Sequence, residues 1–558
     1  MCSIRPCWTC CCLLLFFSLE VQGSPKPPSA APEQVHLSYP GEPGSMTVTW
    51  TTWVPVPSEV QYGLQPSGPL PFQARGTFSP FVDGGILQRK LYMHRVTLRG
   101  LLPGVQYVYR CGSAQGWSRR FRFRALKKGP HWSPRLAVFG DLGADNPRAL
   151  PRLRRDTQQG MYDAVLHVGD FAYNMDQDNA RVGDRFMKLI EPVAASLPYM
   201  TCPGNHEERY NFSNYKARFS MPGNTEGLWY SWDLGPAHII SFSTEVYFFL
   251  HYGRHLVERQ FHWLESDLQK ANKNRAVRPW IITMGHRPMY CSNADLDDCT
   301  WHESKVRKGL RGKFYGLEDL FYKYGVDLQL WAHEHSYERL WPIYNYQVLN
   351  GSQEMPYTHP RGPVHIITGS AQGCEELLTP FTLFPRPWSA LRVKEYGYTR
   401  LHILNGTHVH IQQVSDDQDG KIVDDVWVQV APATFSDRPS VPMRGLAPTA
   451  QEELASVVRA SVSQSATELS WKRASVNTPN CQLGQLTNLG AHGPAVFLPL
   501  KISPSLCFPS TFCAVSRYLL SACYVPGPVL HAVNSTEMSA LMELKFYPGC
   551  QIASTINK

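Results

Sequence analysis

Five short motifs in the middle of the sequence carry carboxylate, amide, phenol and imidazole groups, the side chains that bind metal ions. Four of them directly follow a predicted strand, and the third follows Pro203. They are Gly140-Asp141-Leu142-Gly143, Gly169-Asp170-Phe171-Ala172-Tyr173, Gly204-Asn205-His206-Glu207, Gly285-His286-Arg287-Pro288-Met289-Tyr290 and Ala332-His333-Glu334-His335. In open α/β sheets, ligands bind in the crevice beyond the carboxyl ends of the strands. The five motifs are therefore expected to converge on one site.

Each motif alone has an ordinary structural explanation. A Gly-Asp pair at a strand end is commonly a turn or a helix cap, and a His-x-His segment commonly marks the two sides of a strand. The occurrence of all five motifs, in order, within one α/β-type region is what indicates a metal-binding catalytic site. Two cations held about 3.5–4 Å apart can clamp both oxygens of an in-line phosphoryl displacement and generate hydroxide near neutral pH. One shared carboxylate is the simplest way to hold two cations so close.

Strands alternate with helical segments across residues 133–430, and this alternation predicts an α/β domain. The helical span 256–273 places Phe261, Leu264 and Leu268 on one face. The predicted strands are Arg135–Gly140, Asp163–Gly169, Ala237–Phe242, Trp280–Met284, Val326–Trp331, Thr399–Leu404 and Val426–Val428.

Residues 30–127 have a different sequence pattern, in which short segments typical of β-strands are separated by Pro, Gly and Ser. Short strands with turn signals between them predict a two-sheet sandwich, and a packing scaffold is the favoured interpretation of this domain. The predicted strands are Val35–Leu37, Met46–Trp50, Val60–Tyr62, His94–Leu98, Leu102–Tyr109 and Phe121–Phe123.

The two ends of the chain are not expected to belong to these domains. Residues 1–23 have the form of a secretory signal peptide: Arg5 is basic, residues 7–19 are apolar but too short to span a bilayer, and cleavage is expected near Gly23. A short membrane anchor is the alternative. Residues 431–558 change to Pro, Ser and Ala-rich sequence with five cysteines, which predicts a poorly ordered tail or, alternatively, a small disulfide-stapled module.

Composition narrows the function classes. The chain of 558 residues is 43% hydrophobic, which is too apolar for a chain disordered throughout, and its formal charge of +8 is spread out, so we expect no nucleic-acid partner. No segment after the signal has about twenty consecutive apolar residues, so no membrane span is expected.

In an oxidising compartment Cys291 and Cys299 could close the loop between them as a disulfide. Sequons that fit a glycoprotein occur at Asn211, Asn350, Asn405 and Asn534.

The five motifs resemble those of the purple acid phosphatases, within the metallophosphoesterase superfamily. Tyr173 is the distinguishing residue, because related dinuclear phosphatases lack an iron-binding tyrosine; packing of Tyr173 in the core is the alternative. The Trp50 strand and the segment Leu102-Pro103-Gly104-Val105-Gln106-Tyr107 resemble a fibronectin type III domain. The resemblance implies the larger, plant-like architecture: a fibronectin type III-like sandwich, then an α/β metallophosphoesterase domain built as a β-sheet sandwich flanked by helices.

The resemblance also implies a role for each site residue. Iron(III) would be held by Asp141, Asp170, Tyr173 and His335. A divalent metal (Zn, Fe or Mn) would be held by Asp170, Asn205, His286 and His333, with Asp170 bridging. His206 would contact the substrate phosphate. His302 is the candidate for the acid that protonates the leaving group, with an exposed loop histidine as the alternative.

The function expected from these features is that of a secreted, glycosylated acid phosphatase that hydrolyses phosphate monoesters. Its substrates would be phosphorylated small molecules or phosphoproteins, and N-glycans are expected at Asn211, Asn350 and Asn405. A phosphodiesterase or pyrophosphatase on the same scaffold is the alternative within this class. A binding glycoprotein with a vestigial metal site is the alternative outside it.

Overall fold

The computed structural model describes residues 29–372 and 378–431. The predicted signal peptide (1–23), residues 432–558 of the predicted tail, Cys374 and the sequon at Asn534 lie outside these ranges. Within them, no helix combines the length and the apolar character that crossing a bilayer requires.

The first described segment is an all-β sandwich, as predicted. One antiparallel sheet has the strand order β1-β2-β6-β5, and the second has the order β4-β3-β7-β8 with β9 also paired to β7. The core between the sheets includes Trp50, whose ring stacks on His94 at 4.9 Å between centroids. The strands are β1 (Glu33–Ser38), β2 (Met46–Thr52), β3 (Glu59–Gly63), β4 (Phe72–Arg75), β5 (Thr77–Val82), β6 (Lys90–Leu98), β7 (Gln106–Ser113), β8 (Gly116–Trp117) and β9 (Phe121–Arg124).

The second segment is α/β, which confirms the predicted fold class. The helices are α1 (Leu150–Gln158), α2 (Gln177–Ala194), α3 (Arg209–Arg218), α4 (His255–Lys273), α5 (Lys305–Lys308) and α6 (Leu317–Lys323). The strands are β10 (Arg135–Phe139), β11 (Ala164–Val168), β12 (Tyr199–Cys202), β13 (Tyr230–Leu234), β14 (Ala237–Ser241), β15 (Trp280–Met284), β16 (Gly309–Leu310), β17 (Phe314–Tyr315), β18 (Leu328–Trp331), β19 (Tyr337–Leu340), β20 (Ile343–Tyr344), β21 (Gln347–Val348), β22 (Val364–Thr368), β23 (Ser389–Val393), β24 (Gly397–Ile403), β25 (His408–Ser415) and β26 (Lys421–Gln429).

Two large sheets form this segment. The six-stranded sheet has the order β12-β11-β10-β24-β25-β26, in which β10, β11 and β12 are parallel and β24 runs antiparallel to β10. The seven-stranded sheet has the order β13-β14-β15-β18-β22-β19-β23, with β14, β15, β18 and β22 parallel. Five of these parallel strands, β10, β11, β12, β15 and β18, are followed by the predicted motifs.

Alternate residues of the strands face two different cores. Leu136 and Val138 of β10 pack with Ile282 and Ile366 of the other sheet, so one core lies between the two sheets. Ala137 and Phe139 point the opposite way, into a core shared with the helices. Burial on both faces explains why these strands read as continuous apolar runs. The predicted sheet sandwich flanked by helices is confirmed.

A buried ionic network connects the all-β sandwich to the α/β segment. Asp184 of α2 accepts hydrogen bonds from Arg218 (2.9 Å), from Gln34 of β1 (3.2 Å) and from Arg89 in the loop before β6 (2.7 Å). Arg218 is only 1% exposed. A buried charge is tolerated only when it is paired and hydrogen-bonded, so this network fixes how the two segments pack.

The predicted disulfide between Cys291 and Cys299 is present and closes the loop that follows the His286 motif. In the part of the chain that the structure describes, Cys111 and Cys202 are buried free thiols.

Candidate metal centre

All five predicted motifs begin where a strand ends. Strands β10, β11, β12, β15 and β18 end at Phe139, Val168, Cys202, Met284 and Trp331. Each motif follows within two residues of its strand end, including the third, whose strand β12 the sequence analysis did not predict. The carboxyl ends of parallel strands meet at one edge of a sheet, and here the edges of two packed sheets supply one cluster of side chains.

The first two motif turns extend the ladder between β10 and β11. Their backbone hydrogen bonds run from Asp141 N to Gly169 O (3.1 Å), from Leu142 N to Asp170 O (3.2 Å) and from Gly143 N to Phe171 O (2.8 Å). The two carboxylates are thus carried by adjacent, mutually bonded turns.

Four of the predicted ligands have a left-handed backbone. The φ angles are 56° at Asp141, 51° at Asp170, 53° at Tyr173 and 69° at His333. This conformation is uncommon for residues other than glycine, and each instance costs on the order of 1–3 kcal/mol unless the surroundings enforce it. Such strain is often found at functional sites.

Glycines leave the space that the side chains occupy. A Cβ atom on Gly204 would lie 2.2 Å from Asp170 Oδ1, and one on Gly169, where φ is 85°, would lie 2.5 Å from His286 Nδ1. Any larger residue at these two positions would displace a predicted ligand.

Three of the predicted iron ligands converge on one point. The Tyr173 hydroxyl lies 2.8 Å from His335 Nε2 and 3.4 Å from Asp141 Oδ1, and His335 Nε2 lies 3.5 Å from Asp141 Oδ1. Phenol, imidazole and carboxylate therefore face one another across a space of the size that a metal ion fills. The interpretation of Tyr173 as a packing residue finds no support in this arrangement.

The predicted ligands of the divalent metal form a second group around His286. Its Nε2 atom lies 3.1 Å from Asn205 Oδ1, 3.1 Å from His333 Nδ1 and 3.2 Å from Asp170 Oδ2. Asp170, His286 and His333 offer ligand atoms that all lie within 4.8 Å of one another. The structure thus places the seven predicted ligands in two groups, one of Asp141, Tyr173 and His335 and one of Asp170, Asn205, His286 and His333. The role of Asp170 as a bridge between them stays a prediction.

The donor set of this second group fits a cation. His286 Nδ1 lies 2.9 Å from the carbonyl oxygen of Val168, which only accepts, so Nδ1 carries a proton, and whenever the ring is neutral its lone pair is on Nε2. That lone pair faces an amide oxygen, a carboxylate oxygen and a second imidazole. Electron-rich atoms repel one another at such distances, and a cation between them removes the repulsion.

The carboxylates of the site favour a positive charge beside them. Burial lowers the pKa of His286, but the charges of Asp170 and Asp141 more than compensate and raise it to about 10. Burial raises the pKa of Asp170, but the facing charge of His286 holds it well below its usual range. Burial raises the pKa of Asp141. A site that attracts a proton this strongly also attracts a metal cation.

His206 lies at the rim of the cluster. Its side chain is 26% exposed, its backbone N–H donates to Asp170 Oδ1 (3.0 Å), and its Nδ1 lies 3.0 Å from Asn174 Oδ1. Its ring centroid is 4.6 Å from that of Tyr173. A partly exposed imidazole beside both ligand groups is placed where a substrate anion would arrive; its contact with phosphate stays a prediction.

His302 is not brought into the cluster. Its side chain is 73% exposed, its ring stacks on Tyr346 at 5.2 Å, and its Nδ1 lies 3.3 Å from Glu303. The contacts that the structure gives for His302 are those of an exposed loop histidine, and its role as a leaving-group acid stays a prediction.

Several residues that support the ligands were not singled out from the sequence. Glu207 accepts hydrogen bonds from the backbone N–H groups of Asp170, Phe171 and Gly204, each at 2.9 Å, and so holds two motif turns together. The Gln372 side chain hydrogen-bonds to His335 Nδ1. Glu207 could have been predicted to support the site, because it lies within one of the five motifs. Nothing in the local sequence distinguishes Gln372.

Asp297, Arg287 and Glu245 form a second supporting group beside His333. Asp297 Oδ2 lies 2.8 Å from His333 Nε2, and Arg287 lies between the carboxylates of Asp297 and Glu245. Asp297 belongs to the polar loop that the sequence analysis interpreted only as a disulfide loop.

Comparison with known protein families gives three matches along the chain. The calcineurin-like phosphoesterase family matches residues 134–337, the purple acid phosphatase N-terminal domain matches residues 32–125, and the family described as iron/zinc purple acid phosphatase-like protein C matches residues 362–425.

Individual proteins agree with these matches. Acid phosphatase type 7 of Homo sapiens is 90% identical over 75% of this chain and 96% of its own length. The Fe(3+)-Zn(2+) purple acid phosphatase 12 of Arabidopsis thaliana is 31% identical over 71% of this chain and 84% of its own length. The structure of a purple acid phosphatase isolated from yellow lupin (Lupinus luteus) seeds superimposes with a TM-score of 0.61 at 23% identity, covering 72% of this chain and 75% of that one. At that identity the likeness concerns the fold alone.

Proposed function

The chain belongs to the purple acid phosphatase family and is an acid phosphatase, and from this premise we propose that it hydrolyses phosphate monoesters at a centre of iron(III) and one divalent metal. The observation that supports the proposal is the convergence of seven ligand side chains in two sets, with the Tyr173 hydroxyl in one of them. The name of the Arabidopsis relative supports iron with zinc as the metal pair.

The residues present fit this pair. Asp141, Tyr173 and His335 would hold iron(III), while Asn205, His286 and His333 would hold the divalent metal, and Asp170 would serve both. When bound, the two cations supply Lewis acidity and the nucleophile for an in-line displacement at phosphorus. Gly169 and Gly204 support this assignment, because a Cβ atom at either position would overlap a predicted ligand, His286 or Asp170.

The protein's own groups would bind and orient the substrate. His206, partly exposed at the rim, would place an imidazole against the phosphate oxygens. The strained turns that carry Asp141, Asp170, Tyr173 and His333 would hold these side chains in place before substrate arrives, which lowers the cost of organising the site.

The test is the visible spectrum and the metal content of the full-length protein and of Tyr173→Phe. A phenolate bound to iron(III) gives a strong visible absorption. We expect about one iron and one divalent metal per wild-type chain, a visible band in the wild type, and loss of that band in Tyr173→Phe with the fold retained. A colourless, metal-free wild type, or a metal-loaded Tyr173→Phe that keeps the band, contradicts the proposal.

A second measurement addresses the substrate class. Initial rates on a phosphate monoester, a diester and a pyrophosphate at equal concentration should favour the monoester. A faster rate on the diester or the pyrophosphate would assign the chain to that activity instead.

We also propose that the protein is a secreted glycoprotein whose two domains span residues 30–127 and 133–430. Residues 1–23 have the form of a signal, a disulfide joins Cys291 to Cys299, and the sequons at Asn211 and Asn405 are exposed. The family matches at 32–125 and 134–337 support the domain bounds. Recovery of the protein from culture medium, with a mass that falls on glycosidase treatment, would support secretion; retention inside the cell would contradict it.

A further inference from the structure

We propose that Asp297 is a positioning residue, which orients His333 and keeps the proton on its Nε2 atom, and thereby sets the affinity for the divalent metal. This inference rests on the proposed function. It concerns a carboxylate that none of the five motifs contains.

The two nitrogens of His333 face different surroundings. Nδ1 lies 3.1 Å from His286 Nε2, inside the ligand cluster, while Nε2 lies 2.8 Å from Asp297 Oδ2. An ionised carboxylate only accepts hydrogen bonds, so Asp297 favours the tautomer that carries its proton on Nε2. The lone pair is then on Nδ1, the atom that points at the metal position.

A competing contact makes Asp297 necessary. Arg287 Nη1 also lies 2.8 Å from His333 Nε2, and a guanidinium only donates. If Arg287 donated to Nε2, the proton of the neutral imidazole would be on Nδ1, and that atom could not bind a metal. Asp297 is the group that decides between these two arrangements.

Asp297 is itself held in place. Arg287 Nη1 lies 3.3 and 3.2 Å from its two carboxylate oxygens, and Arg287 Nε lies 3.1 Å from each oxygen of the fully buried Glu245. The backbone carbonyl of Asp297, in the loop closed by the disulfide, accepts from the N–H of Thr300, which directly follows that loop, at 2.9 Å. A chain of contacts therefore runs from Glu245 through Arg287 and Asp297 to His333.

Carboxylates that accept from the second nitrogen of a metal-bound histidine orient the ring and raise its basicity, and their loss weakens metal binding about 10–100-fold. In Asp297→Asn, the side chain keeps its shape but loses its charge, and Arg287 becomes free to compete for Nε2. The iron group, which contains Asp141, Tyr173 and His335, is untouched by this change.

The experiment is a titration with Zn²⁺ of full-length protein that retains iron but has been depleted of the divalent metal. The proteins are the wild type, Asp297→Asn, Asp297→Glu and the control Asp425→Asn, whose carboxylate lies 2.7 Å from a histidine outside the site, His410. We expect the Kd for Zn²⁺ to rise about 10–100-fold in Asp297→Asn, to recover in part in Asp297→Glu, and to stay unchanged in Asp425→Asn. The visible iron band should be the same in all four.

Zn²⁺ affinity in Asp297→Asn equal to that of the wild type, with the iron band present in both, overturns this inference and leaves the proposed function intact. Loss of the iron band together with zinc affinity in Asp297→Asn also overturns it, because a positioning role on His333 acts on the divalent site alone. A wild type without iron and without a visible band overturns both. If Asp297→Asn does not fold, the titration is repeated on Asp297→Ala, for which the same outcomes apply.

Discussion

Asp170 is the residue that we propose to serve both halves of the metal centre. Its carboxylate is 1% exposed, lies 3.2 Å from His286 and accepts a hydrogen bond from His206 N. Asp170→Asn removes the shared charge with almost no change in volume, so we expect the metal content to fall and the phosphatase rate to drop by at least about a hundredfold. Elemental analysis and initial rates measure both.

The control for this change is Asp425→Asn on β26, whose carboxylate lies 2.7 Å from His410 of β25. Equal metal content in Asp170→Asn and Asp425→Asn would contradict the assignment of Asp170 as the bridge.

At the scale of elements, His238 connects the hairpin of β13 and β14 to helix α4. Its Nδ1 lies 2.8 Å from Asp233 Oδ1 of β13 and its Nε2 lies 3.0 Å from Asp267 Oδ2 of α4. Burial lowers the pKa of His238, but the two carboxylates outweigh burial and raise it to about 9. The ion pairs of protonated His238 therefore stabilise the folded state fully below the pKa of an unfolded histidine, 6.5. This stabilisation is lost as the pH rises through about 9.

The corresponding prediction concerns His238→Asn. Below the pKa of free histidine it should lower the free energy of unfolding by about 2–3 kcal/mol, and this difference should shrink as the pH approaches 10. Denaturant titrations at several pH values measure it, with the exposed His131→Asn as the control. A difference that does not depend on pH would mean that His238 acts by packing and not by charge.

The elements that carry the site were predictable because each has a strong local signal. Strands such as 136–139 and 280–284 are buried on both faces, consist almost entirely of apolar residues and end at a motif. Strands β4 and β5 were missed because most of their residues are exposed, so no alternation marks them. The role of Asp297 was missed for a different reason: it depends on a contact between a polar loop and the turn after β18, which no local pattern encodes.

At the scale of the whole molecule, the buried network around Asp184 predicts that the all-β sandwich and the α/β segment stabilise each other. Asp184→Asn would leave Arg218 buried with its charge uncompensated, which should cost about 3 kcal/mol of unfolding free energy. Asp178→Asn, on the same helix, removes one partner of an exposed ion pair and should cost less than about 1 kcal/mol.

Thermal unfolding followed by calorimetry compares these two variants. We expect a lower Tm for Asp184→Asn and near wild-type behaviour for Asp178→Asn. Equal Tm values for both variants would show that the network contributes nothing to the packing of the two segments.

The pairing of β10 with β24, in the register Leu136 with Leu401, has a consequence for biosynthesis. Chains are synthesised from the amino terminus at about 5–20 residues per second, so β10 and its neighbours leave the ribosome long before β24 has been made. During that interval β10 is an open sheet edge, and open edges recruit other chains. We therefore expect the nascent chain to be most prone to aggregation until residues 397–403 emerge, and slow translation just before that stretch would lengthen this period.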